Sequence, residues 1–430
     1  MNRFARRTAQ LLGCIALCAG FSSAAQAANT LLKVGCPWFS MPISTQTYNT
    51  GYLDSHASYF VATLPTAPSA DTQIIVEGSY PQVRYFSFQL SRAYSFSNLV
   101  DQLADADLTP VEGGAPNADP AALPDSNNYQ NHYRVTIRFA DPPAVREPNT
   151  LYAGTPAEQT NFPQVIFRRY LGNPGYDVLS RDDLPSLTYV GPLGTINFNN
   201  TPDAQACKVL QNALNNSQAS KWAYNPFPAL PTAVFTPVWF IDAIPYPNAD
   251  SAYLQALPST KYAPLVVIRV KLPVTPLLPP ETNTPDVRYW SICQYELHST
   301  AMVGCLADTE VTAQADGYAV FVISPPAQRP ALATQDAGYN WIDWGDQPDA
   351  YVALREILPS PGFLGSYQLA NNTFWLPLKT TIGDFAPQST YCDPATFAAN
   401  ATAGGQPLID ACRSAYAAAL AARLKQAHQN

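Results

Sequence analysis

The chain has 430 residues, a formal net charge of −8 and only 13% charged residues. Such an acidic chain offers no basic field to attract nucleic acid or anionic lipid. With 47% hydrophobic residues it is too apolar for disorder, and with 41 prolines it is too often interrupted for long helices.

Residues 1–27 read as an export signal: Arg3, Arg6 and Arg7 precede the apolar run Leu11 to Phe21, and Ala25-Gln26-Ala27 is a small-x-small cleavage site. Arg6-Arg7 is followed by residues that fit a twin-arginine signal poorly. Leu11-Leu12-Gly13-Cys14 resembles a lipoprotein box but leaves almost no apolar run ahead of it. Ordinary export with cleavage after Ala27, to the periplasm or outside the cell, is therefore expected. No later apolar segment is long enough to span a bilayer.

The rest of the chain says nearly the same thing twice. Pro37-Trp38-Phe39 is answered by Val238-Trp239-Phe240, and Tyr59 to Pro65 by Ala252 to Pro258. VRYFSFQL from Val83 returns as VRYWSICQ from Val287, and LVDQLAD from Leu99 as MVGCLAD from Met302. YRVTIRFADPP from Tyr133 returns as YAVFVISPP from Tyr318, and IFRRYLGNPGY from Ile166 as ALREILPSPGF from Ala353, setting Arg168 opposite Arg355. Matches kept in the same order mark an internal duplication over about residues 36–176 and 237–363. Alternation of side chains predicts strands in VRYFSFQL and VRYWSICQ, each with one strongly apolar face, the pair forming the same edge of two domains. Further strands are predicted at Gln73–Glu77, Tyr133–Phe139, Val165–Tyr170, Leu265–Lys271, Tyr318–Ile323 and Tyr351–Leu354.

Short strands joined by Pro- and Asn-rich corners, without regular intervening helices, argue for an all-β chain of tandem β-sandwich or jelly-roll domains. The expected divisions are a first sandwich over 28–195, a helical connector over 196–235, a second sandwich over 236–385 and a C-terminal helix over 386–430. Thr201-Pro202-Asp203 supplies an N-terminal signal for the connector helix. The alanine-rich stretch PLIDACRSAYAAALAARLKQAHQ supplies the last one, its basic end suiting the helix dipole. Residues 110–132 are an insertion of the first half and read as a long loop.

Six cysteines follow the signal, an even number that implies disulfides in an exported protein. Cys293 aligns with Gln89 and Cys305 with Gln102, so both positions changed together, which pairs Cys293 with Cys305. Cys392–Cys412 would then staple the C-terminal helix, leaving Cys36–Cys207 to tie the N-terminus to the connector. No CxxC pair occurs and His56, His132, His298 and His428 are scattered, so no metal and no cofactor are expected.

Asn248-Ala249-Asp250-Ser251-Ala252-Tyr253, followed by the strand Arg288-Tyr289-Trp290-Ser291, resembles the signature of a bacterial family, the paired domains of unknown function numbered 1254 and 1214. Its members read N-x-D-x-x-Y and later Y-W-S. The resemblance covers roughly 36–363 and implies jelly-roll-like β domains, but no activity. The first half departs from the pattern: Asp54 and Tyr59 are present without the asparagine spacing, and Phe86 replaces the tryptophan.

Matched positions such as Arg84/Arg288 and Arg168/Arg355 are most simply fold-making, so chemistry is sought where the halves differ. The densest such stretch is Asp336 to Asp346, with Tyr339, Trp341, Trp344, Asp343 and Asp346. Flat rings beside carboxylates suit sugar recognition, and paired carboxylates are what glycoside hydrolysis needs. The alternative is that Trp341 and Trp344 plug the end of a sandwich. Glu296 and His298 share one face of a strand end, where the pair could hold a general base with Asp343 as its partner. No G-x-S-x-G elbow supplies a nucleophile, and no Gly-rich phosphate loop or calcium loop is present. Two readings follow. One is an exported binding or structural protein whose partner is a glycan or another envelope component. The other is a carbohydrate-active hydrolase with its acid and base in the second half.

Overall fold

The computed structural model describes residues 38–41, 49, 51–64, 69–92, 99–116, 119–123, 131–155, 163–192, 194–198, 225–238, 248–278 and 283–427. The export signal, the connector helix and the proposed Cys36–Cys207 pair lie outside these residues.

Among the described residues ten strands form the first half: β1 (Phe39–Met41), β2 (Ala57–Thr63), β3 (Gln73–Ser79), β4 (Val83–Arg92), β5 (Leu99–Ala104), β6 (His132–Arg138), β7 (Thr150–Tyr152), β8 (Pro163–Gly172), β9 (Ser186–Gly191) and β10 (Gly194–Phe198). Nine form the second: β11 (Thr236–Pro237), β12 (Ser251–Ala256), β13 (Leu265–Lys271), β14 (Val287–Glu296), β15 (Met302–Ala307), β16 (Tyr318–Ser324), β17 (Asn340–Asp343), β18 (Ala350–Pro359) and β19 (Gln388–Cys392). They make four sheets. The orders β1-β2-β8-β4-β5 and β11-β12-β18-β14-β15 are equivalent, as are β9-β3-β6-β7 (with β10 added beyond β9) and β19-β13-β16-β17. Each half is a β-sandwich, and the duplication reaches down to irregularities. The β4–β5 register shifts between Leu90 and Ser91, and the β14–β15 register shifts at the matching Gln294 and Tyr295. Leu171 and Leu358, at matching points of β8 and β18, both take positive φ.

The pairing extends further than the sequence repeats suggested. β19 pairs with β13 as β9 pairs with β3. Residues 388–392 therefore belong to the second sandwich rather than to a separate C-terminal element. Two α-helices, α1 (Tyr367–Asn372) and α2 (Leu378–Ile382), lie between β18 and β19, and two more, α3 (Pro394–Asn400) and α4 (Gly405–Ala427), follow β19. The first two were not expected. α3 and α4 cover the outer face of the second sandwich, where Leu408, Ile409 and Phe397 pack with Val267, Val320 and Val322. Gly405 permits that approach, since a Cβ there would stand 2.6 Å from Val320 Cγ2.

Neither β4 nor β14 is a sheet edge: each lies between two neighbours. Nor does either have only one buried face. Phe86, Phe88 and Leu90 enter the first core, as Trp290 and Ile292 enter the second. The opposite parity, including Tyr85 in β4 and Tyr289, Cys293 and Tyr295 in β14, enters a third cluster that draws on both halves. The two inner sheets thus pack against each other, so the layer order is sheet, core, sheet, shared layer, sheet, core, sheet.

Two of the expected disulfides are present: Cys293–Cys305 bridges the cross-strand pair of β14 and β15, and Cys392–Cys412 joins β19 to α4. Closing a loop of this size removes conformational freedom from the unfolded chain. Replacing Cys392 and Cys412 together by Ala is expected to lower unfolding free energy by about 3 kcal/mol. Denaturant titration of oxidised protein checks it. A loss no larger than the Ala substitutions cause in reduced wild type would show that the helix is held by packing alone.

Candidate functional site

The aromatic stretch of the second half is turned inward. Tyr339 is buried, its hydroxyl donating to the Ala401 carbonyl and its ring meeting Phe397 at 5.3 Å. Trp344 sits in the second core, its indole N–H donating to Gln347 O at 3.1 Å. Trp341 is half-buried between Ser324 Oγ (3.0 Å) and the Arg329 guanidinium, which lies 4.3 Å over its ring. The reason is local: Ile342 fills the sandwich core while Trp341 and Tyr339 meet the helices that cap the outer sheet. Asp343 accepts the Gly345 N–H (2.9 Å) in a turn, and Asp346 is exposed.

Glu296 and His298 have their described side-chain hydrogen bonds with groups other than Asp343. Glu296 accepts from Ser299 Oγ at 2.6 Å. His298 faces the Asn225 carbonyl (2.9 Å) and Asp349 (3.4 Å), so Asp349 occupies the place expected of Asp343. The one grouping of three possible metal-ligand residues among the described residues is Asp54, Cys293 and Cys305, and its sulfurs are bonded to each other. It offers no thiolate to a metal.

The densest polar constellation lies in the shared layer. Asp54, fully buried, accepts from Arg355 Nη1 at 2.6 Å, Ser291 Oγ at 2.7 Å and Tyr289 Oη at 3.0 Å. All three donors belong to the other half. His56 contacts Asp54 (3.3 Å) on one side and Glu310 of the other half (2.9 Å) on the other. The Arg355 guanidinium lies over the rings of Tyr253 (5.1 Å) and Tyr170 (5.8 Å). Around this centre two further ion pairs exchange between halves, Arg84–Asp308 at 2.8 Å and Arg288–Asp105 at 2.5 Å. Arg84 matches Arg288 and Asp105 matches Asp308, so these two pairs are related by a pseudo-two-fold.

The centre breaks that symmetry. β2 meets β8 through Tyr59 and Arg168, and β12 meets β18 through Tyr253 and Arg355. Counting back from those tyrosines places Asp54 on Asn248 and His56 on Asp250. The first half therefore carries D-x-H-x-x-Y where the second carries N-x-D-x-x-Y, and strand pairing sets Tyr59 on Tyr253, one residue away from the match to Ala252 that the sequence repeat suggested. Across the pseudo-two-fold, Tyr85 Oη donates to Asp250 at 2.6 Å and lies 3.3 Å from Asn248 Oδ1, while Gln102 takes the Ala249 N–H at 3.0 Å. One end of the layer holds an acid–arginine–histidine set, and the other a carboxyl among neutral amides.

These environments push the groups apart. Burial alone would raise the Asp54 carboxyl, but Arg355 and His56 outweigh it and hold it well below the usual carboxylate range. Burial alone would lower His56, but its bonds to Asp54 and Glu310 push it up to about 10. Asp250 is pushed up to about 6 by burial, with the nearby charges of Asp107 and Asp105 adding to the rise and the bond from Tyr85 opposing it. The arrangement can hold charge and orientation between two domains. Its acid, base and guanidinium are consumed by one another.

A second feature stands apart. β8 runs on to β9 through residues 173–185, whereas β18 runs on to β19 through residues 360–387, which contain α1 and α2. The base of this hairpin is fixed. Tyr367 accepts the Trp290 indole N–H at 3.0 Å, Ser366 donates to the buried Glu356, and Ala370 and Ile382 enter the core. Its tip carries Phe374, Trp375, Leu376 and Pro377, all exposed, with Trp375 at 67%. The signal was in the sequence as an FWLP run with no counterpart in the first half.

No family model matches the chain, and no curated protein does. Among solved structures it is similar to an uncharacterised protein from Burkholderia cenocepacia, with TM-score 0.45 and 14% identity, over 79% of this chain and 85% of that one. It is also similar to a protein from Vibrio parahaemolyticus, with TM-score 0.36 and 12% identity, over 85% of this chain and 95% of that one.

Two predictions follow from the shared layer. Arg355→Ala leaves the Asp54 carboxylate enclosed without its countercharge, at an expected cost of about 3–5 kcal/mol in unfolding free energy. The second concerns pH. His56 has a raised pKa, so its contribution is whole below about 6.5 and is lost as pH rises toward about 10. Asp250 also has a raised pKa, so its penalty is relieved as pH falls through about 6. Asp54 has a lowered pKa, so its contribution is lost as pH falls below about 4. The unfolding midpoint should peak between pH about 4 and 6, and His56→Gln should flatten its alkaline decline. Parallel profiles for the two proteins would remove His56 from the account.

Proposed function

We propose that this chain is an exported, non-catalytic binding protein of the cell envelope, in which the two sandwiches form a rigid base and the α1–α2 hairpin makes the contact with a glycan or another envelope component. The observation that carries the reading is the hairpin itself. It is peculiar to the second half, anchored in the core and tipped by exposed aromatic and aliphatic side chains. Exposed apolar side chains grouped in this way mark interaction sites.

Two other observations support it. The groups best suited to acid–base chemistry, Asp54, His56 and Arg355, are satisfied by one another between the sandwiches. Two disulfides fit an oxidising compartment, in keeping with an export signal cleaved after Ala27. No helix among the described residues is long and apolar enough to cross a membrane. Within this reading the chain belongs with the paired 1254 and 1214 domains, and the N-x-D-x-x-Y and Y-W-S residues Asn248, Asp250, Tyr253 and Tyr289 serve domain contact.

The test is incubation of the purified, oxidised protein with pooled envelope glycans and lipids, followed by mass spectrometry of the pool. The expected result is a species retained by the protein without new products, and lost with Trp375→Ser. New product masses that vanish in Asp343→Asn or Glu296→Gln would replace this reading with a hydrolase.

A further inference from the structure

From the hairpin's chemistry we infer that its occupant is the surface of a phospholipid bilayer, into whose headgroup–acyl boundary Phe374, Trp375 and Leu376 insert; this rests on the binding reading above and names its partner.

Shape and composition of the tip carry the inference. Phe374 and Trp375 meet edge to face at 5.2 Å, and Leu376 closes the turn through its N–H to the Thr373 carbonyl at 2.9 Å. Leu364, at the foot of the hairpin, is 75% exposed. A pyranose site wants flat rings with carboxylates or amides directed at hydroxyls. The exposed Leu364 and Leu376 are aliphatic and offer a sugar neither. A bilayer boundary accepts both kinds of side chain, with tryptophan favoured at the level of the headgroups.

Charge points the same way. The chain is acidic, yet the connection 360–387 carries only two charged residues, Lys379 and Asp384, which pair with each other, and none within residues 373–377 at the tip. The equivalent connection of the first half carries Asp177, Arg181, Asp182 and Asp183. A charged side chain at the tip would resist transfer out of water, and an acidic one would also be repelled by a negative surface. The second half carries fewer charges in this connection, and none among the apolar residues of the tip. Rigidity completes the case, because a tip held on a packed base loses little freedom on insertion.

The partner is thus a bilayer met through apolar insertion. Attraction to anionic lipid is opposed by the acidic balance of the chain, whose formal net charge over all 430 residues is −8. Binding to zwitterionic vesicles is expected to be insensitive to salt. Binding to vesicles with added anionic lipid should be weaker at low salt and recover as salt screens the repulsion.

The experiment uses the full oxidised protein and phosphatidylcholine vesicles in a co-sedimentation assay, with tryptophan fluorescence in parallel. Wild type should sediment with the vesicles and its emission should shift to shorter wavelength. Phe374→Ser with Trp375→Ser should weaken partition by roughly tenfold or more at an unchanged unfolding midpoint. Trp375→Phe should keep most of the binding while losing most of the spectral shift. Absence of vesicle binding, or binding unchanged in the double serine variant, overturns the inference. If vesicles are ignored but a glycan from the envelope pool is retained in a Trp375-dependent way, the lipid assignment fails and the binding reading stands. If neither is retained, both fail.

Discussion

The Arg355 guanidinium reaches out of its own sheet to a carboxylate, Asp54, that belongs to the other half of the chain. Both groups are cut off from water, and two enclosed charges are tolerated only when each completes the other. This one contact constrains a great deal. It holds the inner sheets in register, it demands the hydroxyls of Tyr289 and Ser291 as further donors, and it brings His56 against Glu310. The aromatic walls of Tyr170 and Tyr253 enclose the guanidinium and leave it no solvent alternative. Where the sandwich cores are made of interchangeable hydrocarbon, this layer is made of partners that fit only one way.

A shared layer of this kind explains how two copies of one fold became a single body. After duplication, equivalent arginines and aspartates could exchange partners across a pseudo-two-fold, and Arg84–Asp308 and Arg288–Asp105 still do. At the centre the copies diverged. Asp54 and His56 face Arg355 at one end, while Asn248 and Asp250 face Tyr85 at the other. The disulfide Cys293–Cys305 stands opposite the cross-strand pair Gln89 and Gln102. Such asymmetry gives the two ends of the shared layer different chemistry, an ion pair at one and a hydroxyl–carboxyl contact at the other.

The same divergence operates at the surface. One connection between equivalent strands stayed short and charged, and the other grew into a helical hairpin with an uncharged aromatic tip. The two sandwiches are built on matched strands, and the part proposed to meet a partner is one with no match.

The duplication, the strand positions, the disulfides Cys293–Cys305 and Cys392–Cys412 and the β-sandwich class were legible from residues alone. Each depends on local alternation or on comparing one half with the other. Burial of both faces of β4 and β14 was not legible, because Tyr85, Ser87 and Gln89 look like a solvent face until a second sheet covers them. The membership of residues 388–392 in the second sandwich was hidden by the hairpin that separates them from β18. For the aromatic stretch, composition showed rings and carboxylates together, but only the helices packed on the outer sheet decided that Tyr339 and Trp344 point inward. Asp54 and His56 were missed for a related reason. Their alignment with Asn248 and Asp250 names no charge partner, and their chemistry comes from an arginine 301 residues away that only long-range packing brings within reach, roughly the length of one hydrogen bond.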